Sequence, residues 1–300
     1  MSVLVVGSVA LDSVETPSGN ARDVLGGSAI YFAASASLYT EVNLVGVVGT
    51  DFPQEHTRFL TECGVDVIGL KVVDGQTFRW AGRYNELGAV ETLQTHLNVF
   101  ADFHPTLPPG YERSDMVFLG NIDPDLQGEV LRQVKGPKLV MMDTMDFWIR
   151  GRRESLCRTI GASDIVTMNE SEVRLLTGKH SVISAARGVL ELGPKAVIIK
   201  RGEYGSIMLS EDGYFIVPGY PVAYVKDPTG AGDSFAGGIL GYLDGIKELS
   251  PQAVRKAIVH GTIMASFTVA EFSIDGLRPL NKADIAQRYQ EFKELTQFED

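Results

Sequence analysis

Asp227-Pro-Thr-Gly-Ala-Gly-Asp-Ser-Phe-Ala-Gly-Gly238 is the stretch on which the reading of this chain turns. Gly230, Ala231 and Gly232 leave the backbone bare directly ahead of an apolar helical run over 235–243. Consecutive N–H groups and the positive end of a helix can converge there on an anion, and phosphate is the natural occupant. The stretch is no Walker loop, because no Gly-Lys-Ser/Thr follows. It is no dinucleotide fingerprint either, because Phe235 stands where the third glycine belongs. Asp233 falls in the first helical turn, beside the anion position. An acid there can simply complement the helix dipole. It can equally accept a hydroxyl proton while the bare amides neutralise charge growing on a transferring phosphoryl group. The helix N-terminus is expected to keep its pKa low.

Around this stretch the chain alternates strand and helix. An apolar run over 3–9 leads to Asp12, the pair Gly26-Gly27 precedes a helical segment over 28–38, and a strand at 42–48 is followed by a helix at 52–63. Later strands are expected at 116–120, 138–143, 164–168 and 196–200, and helices at 125–134, 150–160, 181–192, 232–243, 251–268 and 281–295. Two short hairpin strands fall within 206–217. Strands separated by helices of these lengths predict a mostly parallel sheet covered on both faces, with ligands at the carboxyl ends of its strands. The order is interrupted over 70–103, where polar and apolar residues alternate as in a half-exposed antiparallel hairpin. With 13–25 these residues predict a small side sheet, a lid over one edge of the body. No linker, low-complexity block or internal repeat divides the chain, so residues 1–300 read as one domain.

The chain carries 27 Lys plus Arg against 38 Asp plus Glu, a formal net charge of −11, with its basic residues scattered. This argues against nucleic acid or an anionic membrane as a partner. Cys63 and Cys157 stand far apart and fit reduced thiols of a cytosolic protein. The opening Met1-Ser-Val-Leu-Val-Val-Gly7 has no basic residues ahead of its apolar ones, so no signal peptide is expected. No apolar run reaches the length of a membrane span.

Several residues outside the glycine-rich turn invite a functional reading. Asp12, taken as the end of a first parallel strand, can accept hydrogen bonds from two sugar hydroxyls, or can simply shape a loop. The glycines at 26 and 27 allow close approach of a ligand, or a tight start to the next helix. Asn169 and Glu172, three apart, can project to one side of a helix, and they also match a capping box. Lys200 can counter phosphate charge or snorkel at the surface. Tyr31 and Phe32, with Phe78, Trp80 and Tyr84, can stack on a base or sugar, or form core. His260 lies on an apolar helix, where a histidine is commonly a satisfied core residue. The five histidines have no zinc-ligand spacing.

Taken together, Asp12, Gly26-Gly27, Asn169-Glu-Ser-Glu172, Lys200-Arg-Gly-Glu-Tyr-Gly205 and Asp227 to Phe235 resemble, in order and separation, the ribokinase-like or PfkB-type carbohydrate and nucleoside kinases across nearly the whole chain. The resemblance implies an α/β fold, a ribokinase-like three-layer α/β/α sandwich with a mostly parallel central sheet and a small antiparallel β lid. It implies a cytoplasmic phosphotransferase that uses ATP and Mg²⁺ on a hydroxymethyl group of a nucleoside or sugar. Asp233 would be the base and Gly230, Ala231 and Gly232 the anion hole. Asp12, Gly26, Gly27, Tyr31 and Trp80 would meet the acceptor. Asn169, Glu172, Lys200, Gly202, Gly205, Thr229 and His260 would face the nucleotide, Glu172 reaching the metal through water. A homodimer paired through the lid is also implied.

Where many sugar-binding members carry asparagine, five positions after Gly26, this chain has Tyr31. That departure favours an adenosine-like nucleoside over a free sugar of the ribokinase or fructokinase type. Readings from other classes are a nicotinamide-dependent oxidoreductase, which the missing third glycine disfavours, and a non-catalytic ligand sensor.

Overall fold

Alternate residues of the first strand divide between two cores. Val3 and Val5 pack into one buried cluster and Leu4 and Val6 into another, the period-two signature of a strand covered on both faces. The computed structural model, which describes residues 2–86 and 88–297, builds the rest around this strand. Strands β1 (Val3–Val6), β4 (Val42–Gly49), β5 (Val65–Val73), β8 (Met116–Leu119), β9 (Leu139–Asp143), β10 (Ile165–Asn169), β11 (Ala196–Lys200), β12 (Ser206–Ser210) and β13 (Gly213–Val217) form the main sheet. Its order is β13-β12-β11-β10-β9-β8-β1-β4-β5. All neighbours run parallel except β11 with β12 and β12 with β13.

One face is covered by α1 (Ser28–Ala36), α2 (Gln54–Glu62), α8 (Ala231–Ile246), α9 (Pro251–Thr268) and α10 (Lys282–Thr296). The other is covered by α3 (Pro124–Gln133), α4 (Asp146–Gly151), α5 (Arg153–Gly161), α6 (Glu170–Thr177) and α7 (Val182–Leu190). The single helix expected at 150–160 is therefore two, broken at Arg152, whose backbone leaves the helical region at φ −138°. Among the described residues no helix is long and apolar enough to cross a membrane.

A second, four-stranded sheet is ordered β3-β2-β6-β7, from β2 (Ala10–Thr16), β3 (Gly19–Gly26), β6 (Phe78–Tyr84) and β7 (Val90–His96). Its β2–β3 and β6–β7 pairs are antiparallel, but the central β2–β6 pair is parallel. The side sheet thus draws on shorter segments than 70–103 suggests, because β5 continues to Val73 as an edge strand of the body. The opening apolar run also splits: β1 ends at Val6, and Asp12 lies inside the first lid strand instead of closing a body strand. The break is set at Gly7-Ser8, where Ser8 Oγ accepts the Ser28 amide at 3.0 Å and Ser28 Oγ accepts the Ser8 amide at 3.2 Å.

The chain leaves β1 toward β4 and β5 on one side, and returns through β8, β9, β10 and β11 on the other. The sequence order reverses beside β1, and a crevice is expected at the carboxyl ends of the strands there. Helices α1 and α8 flank it. They can approach each other because α8 is rich in glycine. A Cβ at Gly237 would lie 2.4 Å from the Phe32 carbonyl oxygen, and one at Gly238 would lie 2.9 Å from Gly261 Cα on α9. Phe32 in turn stacks on Phe118 of β8, with ring centroids 4.3 Å apart and planes 6° from parallel, so α1 is pinned between α8 and the sheet.

Because the atom opposing a Gly237 side chain is backbone, Gly237→Ala is expected to lower stability by about 1–3 kcal/mol through overpacking. At Gly128 on α3 a Cβ would meet only the Arg132 guanidinium, 3.5 Å away. There Gly128→Ala should be neutral or stabilise by up to about 1 kcal/mol. Urea denaturation of the two variants checks the difference in sign.

Candidate active site

The parallel strands deliver their last residues to one edge, where β10 ends on Asn169 opposite Lys200, the last residue of β11, and β9 ends on Asp143 opposite Thr167. Lys200 Nζ lies 2.6 Å from Asp143 Oδ2. The same ammonium would stand 3.0 Å from a Cβ on Gly232, so it sits against the start of α8. Burial works against its charge, yet Asp143, Glu172 and Asp233 together hold its pKa above the ordinary lysine value.

The turn ahead of α8 is shaped by Asp227, which is 1% exposed. Its Oδ1 accepts the Thr229 amide at 2.9 Å and its Oδ2 the Ser273 amide at 3.3 Å. Gly230 then adopts φ 73°, and Tyr31 explains why only glycine fits: its ring carbons lie 2.2–2.3 Å from where a Cβ would project. The Ala231 amide donates to the Pro228 carbonyl at 3.3 Å and the Ser234 amide to Gly230 at 2.8 Å. At this start the amides of Gly230, Gly232 and Asp233 have no backbone partner among the described residues. Of the three amides expected to form an anion hole at 230–232, that of Ala231 is turned to Pro228, while those of Gly230 and Gly232 stay bare.

Asp233 is half-buried beside these amides. Its carboxyl is pushed up to about 8, chiefly by burial and by the nearby Asp143 charge, against the pull of Lys200 and its own amide. The helix end alone would lower it, and that expectation is reversed because desolvation and a like charge outweigh the dipole.

Asp12 stands at 4% exposure on β2 and accepts a hydrogen bond from the Gly27 amide. Burial, with a contribution from Asp227, raises it to about 7. Its carboxylate occupies the space of a Gly26 side chain, with Oδ2 1.9 Å from the Cβ position. A Cβ at Gly27 would lie 2.4 Å from the Ser8 carbonyl. Both glycines therefore seat Asp12 and the start of α1 against their own chain.

Tyr31 is buried, and its hydroxyl has no hydrogen-bond partner among the described residues. Burial and then the charges of Asp12, Asp227 and Asp233 raise its pKa well above the usual phenol value, which locates the ring among these acids. Tyr84 of β6 joins them: its hydroxyl accepts from Thr229 Oγ1 at 3.2 Å. Trp80 pairs opposite Asp12 across β2 and β6, with its indole folded over Gly82 and donating to Thr92 at 3.4 Å.

On the opposite side of Lys200, Asn169 and Glu172 close a capping box. Asn169 Oδ1 accepts the Glu172 amide at 2.8 Å, and Glu172 Oε2 accepts the Asn169 amide at 2.7 Å. The box uses one polar atom of each side chain. Glu172 is buried and pushed up to about 7 by that burial, with Lys200 pulling the other way. Gly205 is required by packing, since a Cβ would lie 2.0 Å from the Val217 carbonyl, whereas Gly202, at φ 59°, faces open space. No group of three His, Cys, Asp or Glu suited to a metal occurs among the described residues.

His260 does not join the site. Its Nδ1 lies 3.1 Å from the Tyr39 hydroxyl, and its ring stacks between Tyr242 at 4.0 Å and Tyr289 at 5.0 Å. Tyr242 is near the far end of α8, roughly 16 Å along the helix from Ala231 at the usual rise per residue. Burial lowers the imidazole to about 4, so it serves as a neutral core ring.

Asp143 was not among the residues singled out from sequence. The rule applied to Asp12, an acid at the carboxyl end of a parallel strand, would have found it. Thr144 follows it, buried and with its hydroxyl unpartnered among the described residues.

Comparisons with known proteins bear on the fold and the family of this chain. The chain is 32% identical to a cytidine kinase of Thermococcus kodakarensis over 82% of its length and 90% of that protein. It is 28% identical to a nucleoside kinase of Methanothermobacter thermautotrophicus, covering 81% of this chain and 83% of that one. Among solved structures, the Burkholderia thailandensis nucleoside kinase in complex with inosine superposes with a TM-score of 0.79 at 20% identity, over 96% of this chain and 97% of that one. A putative ribokinase II of E. coli in complex with ATP and Mg²⁺ gives 0.79 at 20% identity, over 97% and 99%. These superpositions place the fold among the ribokinases. The sequence pattern of the pfkB family carbohydrate kinases matches residues 2–274, and the chain belongs to that family of kinases.

Proposed function

We propose that this protein transfers the γ-phosphoryl group of ATP to the hydroxymethyl group of a nucleoside. The observation that carries the reading is the setting of Asp233, a carboxyl with a raised pKa beside the Gly232 and Asp233 amides, with the Lys200 ammonium against Gly232. In transfer, the acceptor hydroxyl oxygen forms a bond to the γ-phosphorus as the bond to the bridging oxygen of ADP breaks. The hydroxyl proton passes to Asp233 Oδ. The two amides and Lys200 face the equatorial oxygens, where charge develops. Asp12, on the lid strand, accepts hydrogen bonds from acceptor hydroxyls, and the unpartnered Tyr31 hydroxyl offers one more polar contact.

Mg²⁺ bound with ATP would neutralise phosphate charge. The residues present fit it, because the buried Glu172 carboxyl beside Lys200 and Asp143 would hold it through water. Asn169 Nδ2 and Glu172 Oε1 stay outside the capping box and can serve the nucleotide side. Nucleoside specificity is supported by the cytidine kinase and nucleoside kinase relatives and by Tyr31 lying over Gly230.

Incubation with labelled ATP and a panel of cytidine, adenosine, inosine, ribose and fructose tests the acceptor class. Phosphorylation of the sugars alone would exclude the nucleoside reading. Asp233→Asn should retain ATP binding and lose transfer by roughly two to four decades. Near-normal turnover in that variant would remove Asp233 from the mechanism. Excess chelator should abolish transfer.

The pH profile follows from Asp233. The base works only when deprotonated, and its pKa is raised to about 8, so kcat/KM should climb as pH passes through that region. Asp143 contributes to the rise. Removing its charge with Asp143→Asn should move the acid limb to lower pH. A profile flat between pH 6 and about 9 would contradict the assignment.

A further inference from the structure

The segment that leads into the glycine-rich turn is held by individual backbone and side-chain contacts. Over 218–230 it forms neither strand nor helix, and Tyr224 is 87% and Val225 49% exposed. Downstream it enters α8, which is fixed in the core. Upstream it is bracketed from two sides. On the body side the Lys226 and Asp227 amides donate to the Val269 carbonyl at 2.8 and 3.3 Å. There too Asp227 Oδ2 accepts the Ser273 amide at 3.3 Å, Lys226 Nζ pairs with Glu271 at 2.5 Å, and the Tyr31 ring lies against Gly230, while on the other side the hydrogen bonds come from the lid. Ser18 Oγ donates to the Val225 carbonyl at 3.1 Å and Thr16 Oγ1 to the Lys226 carbonyl at 2.8 Å. Thr229 Oγ1 donates to the Tyr84 hydroxyl at 3.2 Å.

Of these, the Tyr84 contact lies nearest the chemistry. Thr229 directly precedes Gly230, and its own amide is held by Asp227. The Tyr84 ring is half-buried, and its hydroxyl is pushed up to about 12, mainly by burial and further by Asp227, Asp12 and Asp233. It therefore remains a neutral phenol throughout the working range, able to accept from Thr229 without introducing charge.

We infer that Tyr84 is a positioning residue for phosphoryl transfer: through Thr229 it holds residues 227–230, and so the bare amides of Gly232 and Asp233, in register with the lid. Thr16 and Ser18 support the same segment one step upstream. The lid is thus a structural support of the anion-binding turn as well as a cover for the acceptor. The inference rests on the kinase reading above and assigns a role to a residue that does not itself touch the reacting atoms.

A single buried hydrogen bond of this kind is worth a factor of about three to ten in rate. Cytidine serves as the acceptor probe with labelled ATP. Wild-type transfer is measured first, and its absence would count against the kinase reading itself. Given wild-type transfer, Tyr84→Phe, which keeps the ring, should lower kcat about three- to tenfold and leave KM for cytidine within about twofold. ATP hydrolysed per cytidine phosphorylated should rise, because a misplaced turn admits water as acceptor. Thr229→Val should behave alike, Thr229→Ser should keep near-normal kcat, and the double variant Tyr84→Phe/Thr229→Val should be no slower than the slower single variant. Thermal unfolding confirms that each variant is folded. If Tyr84→Phe leaves kcat unchanged, if its effect falls only on KM, or if the two losses multiply in the double variant, the inference is overturned.

Discussion

Lys200 is the ammonium around which the carboxylates at the carboxyl edge of the sheet are arranged, and the rest of the site depends on that imbalance. Asp143 bonds to it directly, Glu172 and Asp233 feel its charge, and Asp12 stands across the crevice. Removing several carboxyls from water with one cation among them cannot leave them all ionised. The structure resolves the conflict by raising Asp12, Glu172 and Asp233 toward neutrality. A base that begins with a raised pKa is better matched to removing a proton from an alcohol than an ordinary surface aspartate. The ion pair between Lys200 and Asp143 therefore does two things. In the proposed reaction it brings positive charge to the transferring phosphoryl group, and it places a negative charge where Asp233 is made more basic.

Much of the architecture was legible from sequence because its signals are local. The body strands alternate between two buried faces or run apolar throughout, the helices between them have conventional lengths, and the glycine-rich turn precedes an apolar helix. Local signals failed where one run of apolar residues serves two sheets. Residues 3–9 read as one strand, yet the Ser8 and Ser28 clamp divides the run and hands Asp12 to the lid. The partners of that clamp lie twenty residues apart, and no periodicity announces such a contact.

The site shows the same division between what a motif carries and what only tertiary packing decides. Asp233, Lys200, Asn169, Glu172 and Asp12 were identifiable by residue type and position. The direction of the Asp233 shift was not, because it comes first from burial and then from Asp143, a residue ninety positions away in the chain that a strand end brings close. Gly26 and Gly27 invite a ligand-contact reading from sequence, whereas the packing that requires glycine there, the Asp12 carboxylate beside Gly26 and the Ser8 carbonyl beside Gly27, is tertiary. His260 was drawn toward the nucleotide by resemblance alone, while its three tyrosine neighbours, from α8, α10 and the end of α1, could not be inferred from the helix that carries it.

The packing of α8 against α1 and α9 has an implication for how this protein can change over generations. Where backbone meets backbone, no side chain is available to rotate aside, and a larger residue can be absorbed only by moving a helix that carries the glycine-rich turn at its start. Drift along this seam is thereby confined to paired exchanges that free space on one helix as they fill it on the other. The lid strand β7, exposed at every residue, is under no such restriction. Descendants of this chain should therefore diversify at their rim while the spine beneath the glycine-rich turn stays nearly fixed.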